Sequence, residues 1–169
     1  MFAINHCTVT PVRQEPSEGS EQLTQLLFGE VCEVLDHLPR WTKIRSTLDR
    51  QEGWVDFKML TSASNLSPIT YHLPATTVAT PIAIATAMET GDELMLTLGT
   101  RLPNYAHGTF EVLGKQYLIN PSSVNTALST ASIASDLPST GANADLQRSD
   151  LITIAQTLLN APYLWGGKN

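Results

Sequence analysis

The sequence predicts a mainly β protein, built from two small β-barrel domains and a short helix that follows them. Three observations carry this prediction. Short apolar runs separated by Gly, Pro and Asp turns recur through the first 125 residues without a helical period. The density of charged side chains falls after about residue 62. An apolar stripe with helical spacing first appears at residue 151.

Length and charge limit the classes of function. A chain of 169 residues allows one average domain or two small ones. Its net charge of −6 provides no basic surface for nucleic acid or for an anionic membrane. The first fifteen residues do not have the pattern of a signal peptide, and no run reaches the ~18 apolar residues of a membrane span. We therefore expect a cytoplasmic protein, or a periplasmic or secreted one whose leader has been removed.

The charge distribution also suggests where the domains divide. Residues 1–62 carry 15 charged side chains (6 basic, 9 acidic), whereas the other 107 residues carry 11 (4 basic, 7 acidic). The small polar stretch TSASNLSP, from Thr61 to Pro68, is typical of a boundary. We therefore assign residues 1–62 and 63–125 to two β domains. Residues 126–144 are rich in Ser, Thr, Ala and Asn and have the composition of a linker.

Strand patterns support both β domains. We expect four or five strands in the first domain, from the segments LTQLLFGE, VCEVLDHL and WTKIRS and from the triplet that follows the turn in DRQEGWVD. In the second domain, TTVATPIAIATAM is rich in β-branched residues and METGDELMLTLGT contains a turn signal. The runs FEVL and QYLI predict a hairpin around Gly114–Lys115.

The segment RSDLITIAQTLLNAP predicts one amphipathic helix, from Leu151 to Leu159. Its apolar residues follow the i, i+3, i+4, i+7, i+8 pattern and are Leu151, Ile154, Ala155, Leu158 and Leu159. Ser149 or Asp150 can cap its start, and Asn160 followed by Pro162 can end it. Since little chain follows to cover this stripe, we expect it to pack on a β domain, to fray, or to drive self-association.

The two cysteines are interpreted as free thiols. Cys32 alternates with Val34 on a strand face, which is a core position. Neither Cys7 nor Cys32 lies at a predicted helix start, where a thiolate would be stabilised. The cysteines form no CxxC motif, and the histidines form no HxxxH or HxH motif, which are the usual spacings of metal ligands. We expect no metal, no cofactor and no catalytic pair among these residues.

Several segments together resemble NlpC-type papain-like cysteine peptidases. The stretches PVRQEPSEGSEQLTQLLFGE, WTKIRS and EGWVD resemble the bacterial SH3-like domain that precedes the peptidase in cell-wall γ-D-glutamyl-L-diamino acid endopeptidases. GTRLPNYAHGTFEVLGKQYLI resembles their second SH3-like domain. The predicted helix followed by PYLWGG resembles the entry to the peptidase domain. The resemblance implies two SH3-like β-barrels, followed in residues 145–169 by a short helical stub of a papain-like α+β domain.

The resemblance also implies a function. Members of this family are hydrolases that cleave peptidoglycan peptides after γ-D-glutamate during murein peptide recycling, and they need no cofactor. Their nucleophilic cysteine and histidine base lie beyond the tyrosine of PYLWGG, so we expect this chain to be truncated before the nucleophile and inactive alone. By resemblance, the chain would target and gate substrate for such a peptidase. The alternative is a non-catalytic tandem SH3-like module that binds wall peptides or protein partners.

Four site residues follow from the resemblance. Glu30 would hold the ammonium of a muropeptide with a free N-terminal L-Ala, and Gln51, which stands where the family usually has a tyrosine, would hydrogen-bond the peptide. Tyr163 would lie beside the nucleophile and donate to the oxyanion or the reacting carbonyl, and Trp165 would line the pocket. The alternatives are a solvated carboxylate for Glu30 and core packing for both aromatic residues.

Overall fold

The computed structural model describes residues 1–63, 76–125, 152–153, 155–156 and 159–168. We call residues 1–63 the first β unit, residues 76–125 the second β unit and residues 159–168 the C-terminal segment. The strands are β1 (Phe2–Asn5), β2 (Val9–Arg13), β3 (Gln22–Leu27), β4 (Val31–His37), β5 (Trp41–Ser46), β6 (Glu52–Asp56), β7 (Leu60–Ser62), β8 (Thr76–Val78), β9 (Ile82–Ala87), β10 (Glu93–Thr97), β11 (Arg101–Leu102), β12 (Thr109–Val112), β13 (Lys115–Ile119) and β14 (Val124–Asn125).

The first β unit is one antiparallel sheet of seven strands in the order β3-β2-β6-β5-β4-β1-β7. The four predicted segments correspond to β3, β4, β5 and β6. Strand β6 begins at Glu52, so Gly53 lies within the strand and not in the preceding turn as predicted. A short 3-10 turn at Phe57–Met59, capped by the Asp56 carboxylate, leads into β7.

Three strands of this sheet were missing from the sequence prediction, which gave four or five. Strands β1 and β7 are four and three residues long, too short to show an alternating pattern. Strand β2 contains Pro11, which lacks a backbone N–H and counts against a strand inside a sheet. The sequence therefore locates the longer strands of this unit and misses those that complete its sheet.

The buried side chain of Asn5 joins the end of β1 to its neighbours. Its amide nitrogen donates to the carbonyls of Cys7 (2.9 Å) and Leu26 (3.0 Å). Its amide oxygen accepts from the Cys7 N–H and from the Thr10 hydroxyl, at 3.1 and 2.8 Å. Every polar atom of a fully buried amide is thus paired, which avoids the cost of an unsatisfied group.

The second β unit contains two antiparallel sheets, of order β10-β9-β13-β12 and β11-β8-β14. The predicted hairpin is present between β12 and β13, but its turn is Leu113–Gly114, one residue before the predicted Gly114–Lys115. Both turn residues have positive φ, 54° and 74°, as the type I′ turn that is common in hairpins requires. A leucine at the first of these positions carries no turn signal, and the boundary prediction was therefore one residue late.

The hydrophobic core forms two clusters. The smaller lies within the first β unit and comprises Ala3, Val12, Leu26, Cys32, Ile44 and Val55. The larger joins the two units: Ile4, Phe28, Val31 and Ala63 of the first pack with Val78, Ala83, Ala85, Leu96, Leu102, Phe110, Val112 and Ile119 of the second. The two β units therefore share buried apolar surface instead of meeting only through a linker.

Only part of the predicted helix lies within the described residues. Residues 152, 153, 155 and 156 are helical, and Asn160 then adopts a positive φ of 71°, a conformation that commonly ends helices. Three positions of the predicted stripe, Leu151, Ile154 and Leu158, lie outside the described residues, as does the predicted linker at 126–144. Within the part of the chain that the structure describes, no helix has the length and apolar character needed to span a membrane.

Candidate functional site

The turn between β3 and β4 fixes the position of Glu30. Its N–H donates to the carbonyl of Leu27 (3.1 Å), and Gly29 between them has φ of 78°, the value that a type II turn requires at this position. The Glu30 carbonyl accepts from the Asn5 N–H (2.9 Å). Its side chain is only 8% exposed. Glu30 is therefore a largely buried carboxylate on a hydrogen-bonded turn, which differs from the solvated carboxylate that was the alternative interpretation.

An ammonium group already contacts this carboxylate. Lys168 Nζ lies 3.0 Å from Oε2 and 3.4 Å from Oε1 of Glu30. The same Nζ lies 3.5 Å from Oδ2 of Asp49. The Lys168 side chain is 18% exposed and that of Asp49 is 38% exposed, so solvent screens the second contact more than the first. One ammonium thus bridges two carboxylates that are 19 positions apart in the sequence.

Asp49 lies in the loop between β5 and β6. Burial alone would raise the pKa of Asp49. Hydrogen bonds from Ser46 and from the Gln51 N–H, together with the Lys168 ammonium, outweigh that effect and hold this pKa below its usual value. Gln51 therefore orients Asp49 through its backbone. The Gln51 side chain is exposed and donates to the Glu52 carbonyl at 3.3 Å.

The C-terminal segment lies against β3. The side chain of Gln22 donates to the Trp165 carbonyl at 2.9 Å, and the Lys168 N–H donates to the side-chain oxygen of Gln25 at 3.0 Å. Gly166 has φ of 69°, and a Cβ at this position would lie 2.6 Å from the Gln22 carbonyl oxygen. Only a glycine fits here, because the backbone of the segment approaches β3 so closely.

Tyr163 and Trp165 project from this docked segment. Their exposed fractions are 85% and 62%, so neither aromatic residue is part of the core of the described chain. The structure brings three of the four predicted site residues to one side of the first β unit. Lys168 links Glu30 to Asp49, which in turn accepts from the Gln51 N–H. The backbone of Trp165 joins them through its contact with Gln22. Tyr163 is two residues before Trp165 in the same segment.

The charges of Glu30, Asp49 and Lys168 do not cancel. Glu30, Asp49 and Lys168 carry formal charges of −1, −1 and +1, which leaves the trio one negative charge in excess. A carboxylate offers four lone-pair positions, and an ammonium offers three donors, so each Glu30 oxygen can accept a further donor beside Lys168. Charge-assisted bonds of this kind are among the stronger hydrogen bonds in proteins.

The two cysteines lie in different surroundings, one fully buried and one partly exposed. Burial raises the pKa of the Cys32 thiol to about 12, and the thiol contacts the Ala3 carbonyl. The Cys7 sulfur faces Met59 at 3.3 Å, and His6 pairs with a threonine hydroxyl. Among the described residues no cluster of three or more His, Cys, Asp or Glu side chains could hold a metal ion. Both cysteines are free thiols, as the sequence predicted.

This difference between the thiols is testable by alkylation. We expect iodoacetamide at pH 8 to modify the partly exposed Cys7 and to leave Cys32 unmodified in the folded chain, because Cys32 is buried and stays protonated. Mass spectrometry of peptides from native and denatured samples measures both sites. Modification of Cys32 as fast as Cys7 in the native sample would contradict the burial described here, and a sample unfolded in urea should label both residues equally.

Comparison with known protein families gives a match in the first β unit. Residues 8–65, about one third of the chain, match the family model described as the bacterial SH3 domain. Residues 8–65 form a bacterial SH3 domain. This range contains Glu30, Asp49 and Gln51, so the carboxylates of the candidate site belong to the SH3 domain, and the ammonium comes from outside it. No curated protein matches the chain.

Comparison with solved structures gives a likeness over the whole chain. The crystal structure of an NlpC/P60 family protein from Bacillus cereus is similar with a TM-score of 0.73 and 20% sequence identity. The match covers 99% of this chain and 66% of that one. At this identity the likeness establishes a shared fold. NlpC2 from Trichomonas vaginalis matches with a TM-score of 0.32 and 9% identity, over 73% of this chain and 47% of that one, and it is too dissimilar to support an argument.

Proposed function

We propose that this chain is the targeting and substrate-gating portion of a cell-wall muropeptide endopeptidase that cleaves after γ-D-glutamate. In this proposal both β units are SH3-like, and residues 145–169 begin a papain-like peptidase domain. The bacterial SH3 domain at residues 8–65 and the fold shared with an NlpC/P60 family protein support it. In this proposal the 169-residue chain binds muropeptide without cleaving it, since the Cys32 thiol is buried with a raised pKa and the Cys7 sulfur faces Met59.

The observation that carries the proposal is the pairing of buried Glu30 with an ammonium. A carboxylate that is 8% exposed and lies 3.0 Å from Lys168 Nζ is already in an environment that accepts an alkylammonium. The ligand would be a peptide with a free N-terminal L-Ala, whose ammonium has the same chemistry. Gln51 would contribute a hydrogen bond to the peptide, and Tyr163 and Trp165 would line the groove beside it.

The test is a comparison of free and blocked amines. We expect the chain to bind L-Ala-γ-D-Glu-diaminopimelate at least about tenfold more tightly than its N-acetylated form, because a hydrogen bond between charged groups contributes about 1.5–3 kcal/mol. Glu30→Gln should remove most of this preference while leaving the weaker affinity for the acetylated peptide. Calorimetric titration measures both affinities.

A matched control is Glu111→Gln, since Glu111 is an exposed carboxylate on β12 of the second unit. This control should keep the wild-type preference for the free amine. Equal affinity of the wild type for both peptides would refute amine recognition at Glu30. It would favour a tandem SH3-like module that binds another part of the wall peptide or a protein partner.

A further inference from the structure

Lys168 has a place in the site that the sequence did not suggest. Its ammonium contacts Glu30 and Asp49, and its N–H donates to Gln25. The lysine therefore joins the C-terminal segment to the turn after β3, to strand β3 itself and to the loop between β5 and β6.

We propose that Lys168 is a positioning residue of the amine site: it docks the C-terminal segment on the SH3 domain and holds Glu30 and Asp49 side by side. Asp49 is then the second carboxylate of the site, and the trio keeps one negative charge in excess for an ammonium that Glu30 binds. The docked segment also sets the separation between Glu30 and the two aromatic residues, Tyr163 and Trp165. The recognition of a substrate amine here rests on the proposed function, whereas the docking stands on the contacts themselves.

The geometry favours a fixed lysine over a displaceable occupant. A side chain that merely filled the empty site could swing away when a ligand arrives, because lysine has four rotatable side-chain bonds. Here the Lys168 N–H donates to Gln25, the Trp165 carbonyl accepts from the Gln22 side chain, and Gly166 packs closely against the Gln22 backbone. Removing the ammonium would leave two neighbouring carboxylates, one of them buried, without their common partner, which is strongly unfavourable.

The test measures docking and binding separately in the 169-residue chain. Docking is followed by hydrogen exchange of the Lys168 and Gly167 amides, which donate to Gln25 and to the Leu164 carbonyl. In Lys168→Met we expect the Lys168-position amide to exchange at least about tenfold faster, the factor associated with loss of a charge-assisted hydrogen bond. Lys168→Arg should retain protection, because a guanidinium can also bridge two carboxylates.

Three further variants make the result specific. In the double variant Lys168→Met/Glu30→Gln, the amide hydrogen at position 168 should exchange more slowly than in Lys168→Met alone. The reason is that no buried charge is then left unpaired. Gly166→Ala should undock the segment with all charges intact, since its Cβ would collide with the Gln22 carbonyl. Lys115→Met, which removes an exposed lysine on β13, should leave exchange unchanged.

Binding of L-Ala-γ-D-Glu-diaminopimelate then separates the two proposals. Weaker binding by at least about tenfold in Lys168→Met and in Gly166→Ala, with recovery in Lys168→Arg, supports the positioning role. Tighter binding in Lys168→Met would overturn it, because the lysine would then be a competitor for the site. Unchanged amide exchange in Lys168→Met would also overturn it. If the wild type binds no free-amine peptide but Lys168→Met still undocks, the docking role stands and the proposed function fails.

Discussion

Phe110→Ala is expected to lower the stability of both β units together, by about 3–5 kcal/mol, the usual cost of truncating a buried phenylalanine. Phe110 is almost fully buried in the larger core cluster. Its ring stacks on Tyr117 at 5.2 Å between centroids, and Tyr117 in turn meets the edge of Phe28 at 5.6 Å. Because Phe28 belongs to the first unit, a cavity at Phe110 removes packing on both sides of the shared core.

The tryptophans make this cooperativity measurable. The chain has three, and none lies in the second unit: Trp41 and Trp54 are in the first unit and Trp165 is in the C-terminal segment. Their emission therefore reports unfolding of the first unit after a substitution in the second. In urea we expect the emission transition and the far-UV circular dichroism transition of Phe110→Ala to shift together to lower urea concentration. In thermal unfolding we expect its Tm to fall by roughly 10 °C or more.

Leu118→Ala provides the control, because Leu118 lies on β13 of the same hairpin but is exposed. Its effect should stay within about 0.5 kcal/mol. An unchanged tryptophan transition in Phe110→Ala, with an earlier transition seen only by circular dichroism, would show that the two units unfold independently. The shared core would then contribute little to stability.

The sequence predicted the mainly β character of the fold because the longer strands have clear patterns and clear turns. Strands β3 to β6 and the hairpin β12–β13 are bounded by glycine, proline or aspartate and were located within one or two residues. Strands β1 and β2 were missed because β1 is short and β2 contains Pro11, so neither shows a strand pattern without its partners in the sheet. One hydrogen bond of the Asn5 amide, for example, goes to the carbonyl of Leu26, which is 21 residues away. A polar residue of this kind lowers the strand signal in the sequence although the fold buries it.

The candidate site was predictable only in part, for a related reason. The turn glycine before Glu30 and the resemblance of LLFGE pointed to this carboxylate, whose ionic partner could not be foreseen. Lys168 is 138 residues away from Glu30 in the sequence, and a lysine after paired glycines has no local pattern that predicts burial. Asp49 was treated only as part of a turn, yet it completes the contact with Lys168. Long-range ion pairs carry no periodic signal, so they emerge only once the strands are assembled.

Gly53→Ala is expected to destabilise the SH3 domain by about 1–3 kcal/mol, although it adds a single methyl group. The sequence placed Gly53 in a turn, where alanine would cost little, but the residue lies inside β6. A Cβ at this position would lie 2.6 Å from Val12 Cγ1 and 2.7 Å from the Arg13 carbonyl oxygen. Neither neighbour can move away easily. Val12 is buried in the core of this unit, and the backbone of Arg13 lies opposite Gln22 on β3 and Trp54 on β6 within the sheet.

The measurement is thermal unfolding of Gly53→Ala beside Gly19→Ala. Gly19 lies in the loop between β2 and β3, and a Cβ there would meet nothing within 4 Å. We expect Gly19→Ala to be neutral or slightly stabilising, because alanine reduces the freedom of the unfolded chain. Gly53→Ala should lower Tm by roughly 5–10 °C. Equal melting temperatures for the two variants would mean that β2 and β6 can separate enough to admit a methyl group. The close approach of these strands would then not be a requirement of the domain that carries Glu30 and Asp49.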